Sequence, residues 1–381
     1  NWLSDEWRAT LYAQFYDWHM FSNATYDIDG QIKQFDKRET IGGRYEKNLF
    51  SSDEFEIIIG SEFRYDHIGE VGLDSTLDRQ YISNISNNAI DESSIGLYSE
   101  ARWQPIQDLR FAAGVRDDLY HFDVRVHSNA GETTASGTEC DHIYSPKLGA
   151  AYAFSPQVEI YANWGKGFHS NDARGVVQKE DPVPGLVQGT GYEGGARFEV
   201  GTFKISAAYW WLNLSSELIF VGDDNTVEPK GGSKRQGYEL VTFWRPVSWL
   251  GIDAVYTGSQ ARSTDPEEAG GKYIEGGVEN AGEIGISAVK NDWEFSARLR
   301  YLGPYPLVPD NSVRADSESM LNIRLAHDFD HVTLYGEVLN VLDHKGKDIV
   351  YFYENAFDSS GGRVSRAEEP RSVRLGLKYK L

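Results

Sequence analysis

The alternation that sets the architecture is plainest in Ser145–Phe168, SPKLGAAYAFSPQVEIYANWGKGF. Its first arm places Leu148, Ala150, Tyr152 and Phe154 on one face and Lys147, Gly149, Ala151 and Ala153 on the other. Its second arm sets Val158, Ile160, Ala162 and Trp164 against Glu159, Tyr161, Asn163 and Gly165. A period of two on both sides of a short break reads as a β-hairpin with one apolar and one small or polar face. In a soluble sandwich the apolar face meets a second sheet. Here nearly every segment repeats the pattern and none supplies a separate core layer, so the apolar faces look outward.

The bulk properties narrow what can lie outside. A chain of 381 residues fits two soluble domains or one large barrel. With a mean hydropathy of -0.49, no run approaches the roughly 18 consecutive apolar residues of a spanning helix, which excludes a helical membrane protein. A transmembrane β-barrel escapes that test because only alternate residues touch lipid. The net charge of -21 argues against nucleic acid, whose phosphates call for a basic surface. The lone Cys140, beside Asp141 and His142, offers no internal disulfide and lacks the ligand spacing of a zinc site. The opening NWLSDEWRA has neither the basic nor the apolar region of a signal peptide.

Taken in order, the alternation predicts strands over 8–20, 34–45, 55–65, 95–103, 109–116, the two arms of the opening hairpin, 192–200, 203–220, 235–245, 251–260, 283–290, 294–302, 320–326, 332–341 and 372–381, about sixteen in all. Short turns alternate with long loops, expected at 68–92, 129–143, 168–190, 222–234, 265–277, 308–317 and 345–369. That asymmetry is the habit of up-and-down outer-membrane barrels, and no blade-like repeat of a propeller is present. Tryptophans near short turns (Trp103, Trp249, Trp293) and toward far strand ends (Trp18, Trp164, Trp210, Trp211) fit two interfacial belts, against a background of ordinary strand propensity for aromatics.

Several stretches in this order resemble one family, the C-terminal barrel of TonB-dependent outer-membrane receptors. The opening hairpin is similar to that family's strand, short periplasmic turn and strand ending in Gly-Phe. Tyr192-Glu193 with Gly195 resembles its Tyr-Glu-x-Gly strand, and Arg235-Gln236-Gly237-Tyr238-Glu239-Leu240 its Gly-x-Glu strand. Asn340-Val341-Leu342-Asp343 resembles the Asn-Leu-Phe-Asp that closes its penultimate strand, and Pro370-Arg371-Ser372-Val373-Arg374-Leu375-Gly376 its last. The ending, with Arg374, Gly376, Tyr379 and Leu381, resembles the signal read by the outer-membrane assembly machinery, although Leu381 stands where an aromatic is usual. The resemblance implies an all-β, antiparallel transmembrane barrel over residues 1–381, as the C-terminal part of a 22-stranded barrel whose first strands, plug and TonB-binding box are absent from this sequence.

No catalytic constellation is present: there is no G-x-S-x-G, H-E-x-x-H or P-loop, and neither a cofactor nor a resident metal is expected. Glu193, Arg197, Glu199, Glu283, Arg298, Glu337 and Arg374 fall on the inward face, as a charged substrate path, a set of plug contacts or simply a solvated lumen. Asp223-Asp224-Asn225 lacks the calcium-loop spacing and also reads as an exposed turn. The candidate ligand contacts in the expected extracellular loops are His169, Arg174, Tyr273, Tyr351, Tyr353 and Arg363, with Phe352, Arg366 and His142 beside them. Stacking and charge-assisted hydrogen bonds suit these groups to a metal chelate, while interfacial and loop-packing roles explain them equally. The sequons at Asn23, Asn84 and Asn213 read as chance matches.

The resemblance thus implies energy-coupled uptake of a scarce ligand, a ferric siderophore being the family's commonest cargo, with the TonB complex and outer-membrane lipid as partners. A passive sixteen-stranded porin also fits the strand count. A secreted carbohydrate-binding protein fits the aromatic content but calls for polar residues where Val373, Leu375 and Leu377 stand.

Overall fold

Alternate residues of a strand that point to water on one side and lipid on the other need no packed interior, so the chain builds a wall rather than a core. The computed structural model describes residues 2–4, 6–129, 135–221, 226–265 and 271–380. The strands are β1 (Trp2–Leu3), β2 (Trp7–Ser22), β3 (Ile32–Ser51), β4 (Phe55–Leu77), β5 (Gln80–Ile106), β6 (Leu109–Asn129), β7 (Gly137–Ser155) and β8 (Val158–Ser170). After a one-turn helix α1 (Ala173–Val176) come β9 (Leu186–Val200), β10 (Phe203–Leu214), β11 (Glu217–Val221), β12 (Thr226–Lys230), β13 (Ser233–Val247) and β14 (Leu250–Ser263). The wall ends with β15 (Asn280–Lys290), β16 (Trp293–Leu302), β17 (Glu318–Phe329), β18 (Val332–Leu339), β19 (Lys347–Asn355), β20 (Asp358–Ala367) and β21 (Ser372–Tyr379).

Sixteen staves, β2–β10, β13–β18 and β21, pair antiparallel with their sequence neighbours. The pairs β11–β12 and β19–β20 are separate hairpins at the long-loop end. Among the described residues the register joins β2 only to β3 and the two-residue β1, and β21 only to β18. The two edge staves meet instead through their loops. The Tyr353 hydroxyl donates to the Ala24 carbonyl at 3.0 Å, the Ala356 amide to the Thr25 carbonyl at 2.8 Å, and the Tyr26 and Phe357 rings lie 5.5 Å apart.

Side chains directly opposite in neighbouring strands share a face, so the register carries the two faces around the wall. From Ile160 the apolar face runs through Ala196, Ala207, Leu240 and Tyr256, and further round through Ile284, Leu299 and Leu321. It ends through Ile323 and Val338 at Val373, in the row of Leu375, Leu377 and Tyr379. Leu375 is 84 % exposed, the condition of a side chain whose partner is lipid. The opposite face carries Glu159 against Arg197 and Glu337 against Arg374.

Several expected loops are strands. Residues 68–92 are the upper halves of β4 and β5, closed by Asp78 and Arg79 at φ of 49° and 64°, the two-residue turn that matches strand twist. The expected loop at 168–190 holds the end of β8, α1 and the start of β9, and that at 345–369 is largely the β19–β20 hairpin. The 129–143 region contains the start of β7, and the expected arm 203–220 divides into β10 and β11. Asp223-Asp224-Asn225 lies outside the described residues. Trp164 and Trp211 stand on the outward face, whereas Trp18, opposite Asp36, and Trp210, opposite Glu193, stand on the lumenal one.

Candidate functional site

The lumenal face of β3–β9 is an array of charge held by cross-strand partners. Arg44 donates to the Tyr98 hydroxyl at 3.1 Å, and Tyr98 donates to Glu46 at 3.0 Å. Arg116 bridges Glu62 at 3.0 Å and Asp118 at 2.6 Å. Arg102 joins Glu100 to Glu56, and Glu100 also pairs with Lys147. Lower down, Glu159 accepts from Arg197 at 2.8 Å and from Arg110. A cavity of about 610 Å³ opens among Arg44, Glu62, Tyr98, Glu100, Arg116 and Lys147. These groups stay half-solvated, so each pair contributes little to stability, but together they present both signs of charge to whatever occupies the lumen.

Above this array the segment between β8 and β9 folds inward. β8 loses β7 after Gly165 and continues with β9 alone, so the hairpin end is free to bend across the wall. Phe168 meets Tyr120 edge-on at 5.9 Å, and the Leu186 amide donates to Asp141 at 2.9 Å. Ala173, Val176, Val177 and Val183 then pack on Ile68, Ile90, Phe122 and Val124, which face the lumen from β4, β5 and β6. Phe122 is fully buried there, a true core under a loop in a protein that otherwise has little.

This packing covers ionisable groups beyond the apolar band, Asp66 fully and Asp172 and Glu92 in part, at the height where the outward face carries Asp91, His67 and Arg125. Asp66 accepts from Arg64 at 2.6 Å and Thr40 at 2.6 Å. Burial pushes its carboxyl up, but those hydrogen bonds outweigh burial and hold it below the ordinary range. Asp172 is held down in the same way, its burial offset by Arg174. Glu92 has no such donor among the described residues: burial, then the Asp66 charge, push it up to about 7.

The candidate loop residues are scattered by the fold. Arg174 is buried in α1, with its guanidinium on Asp172 at 2.7 Å. His169 sits near the end of β8 and is exposed. Tyr273 lies under the Arg262 guanidinium at 3.7 Å, on the far side of the wall. Tyr351 and Tyr353 lie on β19 with Arg363 opposite Phe352 on β20; Tyr351 is exposed, and Arg363 reaches Asp316 at 3.8 Å. Tyr351 and Tyr353 share one face of this hairpin, and Arg363, with Phe352, stands on the other. The charge array with Arg44, Tyr98 and Arg116, and Glu92, were not singled out from sequence, although each charged group of the array occupies an inward position of the period-two pattern.

The motif residues have structural work of their own. Asn340, buried and at φ 49°, donates from its amide to the carbonyls of His344 at 2.9 Å and Glu369 at 3.1 Å, and accepts from the His344 amide at 3.0 Å. It ties the top of β18 to the segment entering β21. Gly376 lies beneath the Tyr335 ring, whose Cζ stands 2.2 Å from where a Cβ would be, and Arg324 covers that ring at 4.3 Å. Arg374 pairs with Glu369 at 3.2 Å, Tyr379 faces outward, and Leu381 lies outside the described residues.

An up-and-down wall with an apolar exterior, a charged lumen and an infolded segment has the plan of a transmembrane β-barrel. Residues 1–341 match the family described as TonB dependent receptor-like, beta-barrel, and the chain belongs to that family. Barrels of this family lie in the outer membrane of Gram-negative bacteria. The chain is 21% identical over 230 residues to the metal-pseudopaline receptor CntO of Pseudomonas aeruginosa, a match covering 57% of this chain and 32% of that receptor. Among solved structures it is similar to the ferric yersiniabactin uptake receptor FyuA from Yersinia pestis, with a TM-score of 0.78 at 16% identity, covering 99% of this chain and 59% of that one. It is also similar to the copper transporter OprC, with a TM-score of 0.75 at 13% identity, covering 99% of this chain and 63% of that one. The chain spans about a third of the curated receptor and about three fifths of these structures.

Proposed function

We propose that this chain forms the C-terminal part of a 22-stranded barrel and serves energy-coupled uptake of a scarce ligand across the outer membrane, a metal chelate of the ferric-siderophore kind. The observation that carries the reading is the lumen: an array of paired cations and carboxylates, narrowed by an infolded segment with its own apolar core. The edge staves β2 and β21, joined by loops and, among the described residues, by no ladder, fit further strands between them, since bare backbone edges are costly in lipid. The TonB complex would act through a plug outside this sequence. Exposed Tyr351 on the last hairpin and His169 beside the infolded segment are the ligand contacts we favour.

The test is uptake of iron-55 carried by a panel of siderophores, in cells expressing the full-length protein as their sole receptor of this family. Uptake that stops when the proton gradient is collapsed supports the proposal. Influx of unrelated small sugars that is indifferent to the gradient would favour the sixteen-stranded porin.

A further inference from the structure

We propose that the outward face of β10, β13 and β14 carries a site for an anionic lipid with a phosphate head, bound by Asn213, Lys234, Gln236, Gln260 and Arg262. The register places these residues in two adjacent rungs of the lipid-facing surface. Trp211, Gln236 and Gln260 stand opposite one another in the lower rung, and Asn213, Lys234 and Arg262 in the next. Opposite side chains lie about 5 Å apart and successive rungs about 7 Å apart, so the donors converge within the reach of one phosphate group. Asn213, Lys234 and Gln260 are exposed. Lys234 has no ion-pair partner among the described residues, while Arg262 is steadied by Tyr273 at 3.7 Å and by Glu279 at 3.9 Å.

Two observations set this patch apart. The chain has 58 acidic and 37 basic residues, yet the outward positions of β9, β10, β13 and β14 include no carboxylate. Elsewhere the outward faces of β3, β5 and β6 carry Glu39, Asp91, Asp117 and Asp123. Directly beneath the donors the surface turns aromatic, with Tyr209, Tyr238 and Tyr256 following Trp211, and the Tyr238 and Tyr256 rings 6.1 Å apart. A charged head on Lys234 and acyl chains along the tyrosines match both halves of an anionic lipid. The inference rests on the outward face being the lipid-facing one, which bilayer accessibility of Ile160 and Leu375 tests separately.

Native mass spectrometry of the detergent-purified full-length protein, titrated with diphosphoryl lipid A, measures the site. Lys234→Glu should lower lipid A affinity about tenfold or more, the scale of a lost charge-assisted contact in a site that excludes water. Asn213→Asp, which keeps the size of the side chain, should lower it in the same direction, and Lys37→Gln on the opposite side of the wall should leave it unchanged. Phosphatidylcholine should bind all four proteins alike, and millimolar inorganic phosphate should not displace lipid A, which separates a lipid site from a phosphate site. Equal lipid A binding by the parent and both β10–β13 variants, an equal loss in Lys37→Gln, or displacement by inorganic phosphate would overturn the proposal.

Discussion

Single side chains in this wall answer to one of three surroundings, and their substitutions separate them. Leu375 has lipid for a neighbour, so Leu375→Arg should cost about 2–4 kcal/mol, whereas the lumenal Lys378→Gln should unfold at the parent's denaturant midpoint. Asn340 answers to backbone: Asn340→Ala leaves two carbonyls and one amide unpaired and should cost about 1–3 kcal/mol in the same unfolding assay. Glu92 answers to burial. Its folded pKa of about 7 lies above the ordinary 4.5, so its contribution to docking of the infolded segment is fully present below about pH 4.5 and lost as pH rises through 7. Asp66 and Asp172 are shifted the other way, so their contributions persist above their ordinary values and fade only in stronger acid. Amide exchange over 171–185 should therefore speed up between pH 5 and pH 8 beyond its intrinsic dependence, and Glu92→Gln should remove the excess; an unchanged excess in Glu92→Gln would count against this role.

At the scale of elements, the sequence showed where strands cross lipid and hid where they continue beyond it. All sixteen staves were legible because lipid on one side and water on the other impose the period of two. Where β4, β5 and β6 rise beyond the apolar band both faces meet polar surroundings or protein, the alternation fades, and stretches such as 68–92 look like loops. The infolded segment was illegible for a related reason. Val176, Val177 and Val183 have no periodicity of their own, and their partners Phe122 and Val124 sit 50 or more residues earlier in a strand. The lumenal array was half legible: the inward position of Arg197 and Glu337 follows from parity, while the bridging of Arg116 to Glu62 requires knowing that β4, β5 and β6 are neighbours in this register. The segment's own core gives a direct test. Phe122→Ala should remove about 3–5 kcal/mol of local packing, undock 171–185 and raise single-channel conductance while leaving the staves folded.

For the molecule as a whole, stability and function divide between the two faces. The outer face secures the wall in lipid, the inner face keeps charge in a narrowed lumen, and the period of two lets one sequence meet both demands at once. Candidate ligand groups were the least legible part, because exposed tyrosines and arginines at the long-loop end carry no pattern, and the fold alone shows Arg174 committed to Asp172 while Tyr351 and Arg363 share a hairpin. Every role above depends on which face meets lipid, and spin-label accessibility in a bilayer distinguishes the two. Nitroxides at Leu148, Ile160 and Leu375 should relax with lipid-soluble oxygen, and those at Glu159, Arg374 and Lys378 with a water-soluble nickel chelate. Water-soluble relaxation at the first set would contradict the transmembrane wall and every reading of the lumen that rests on it.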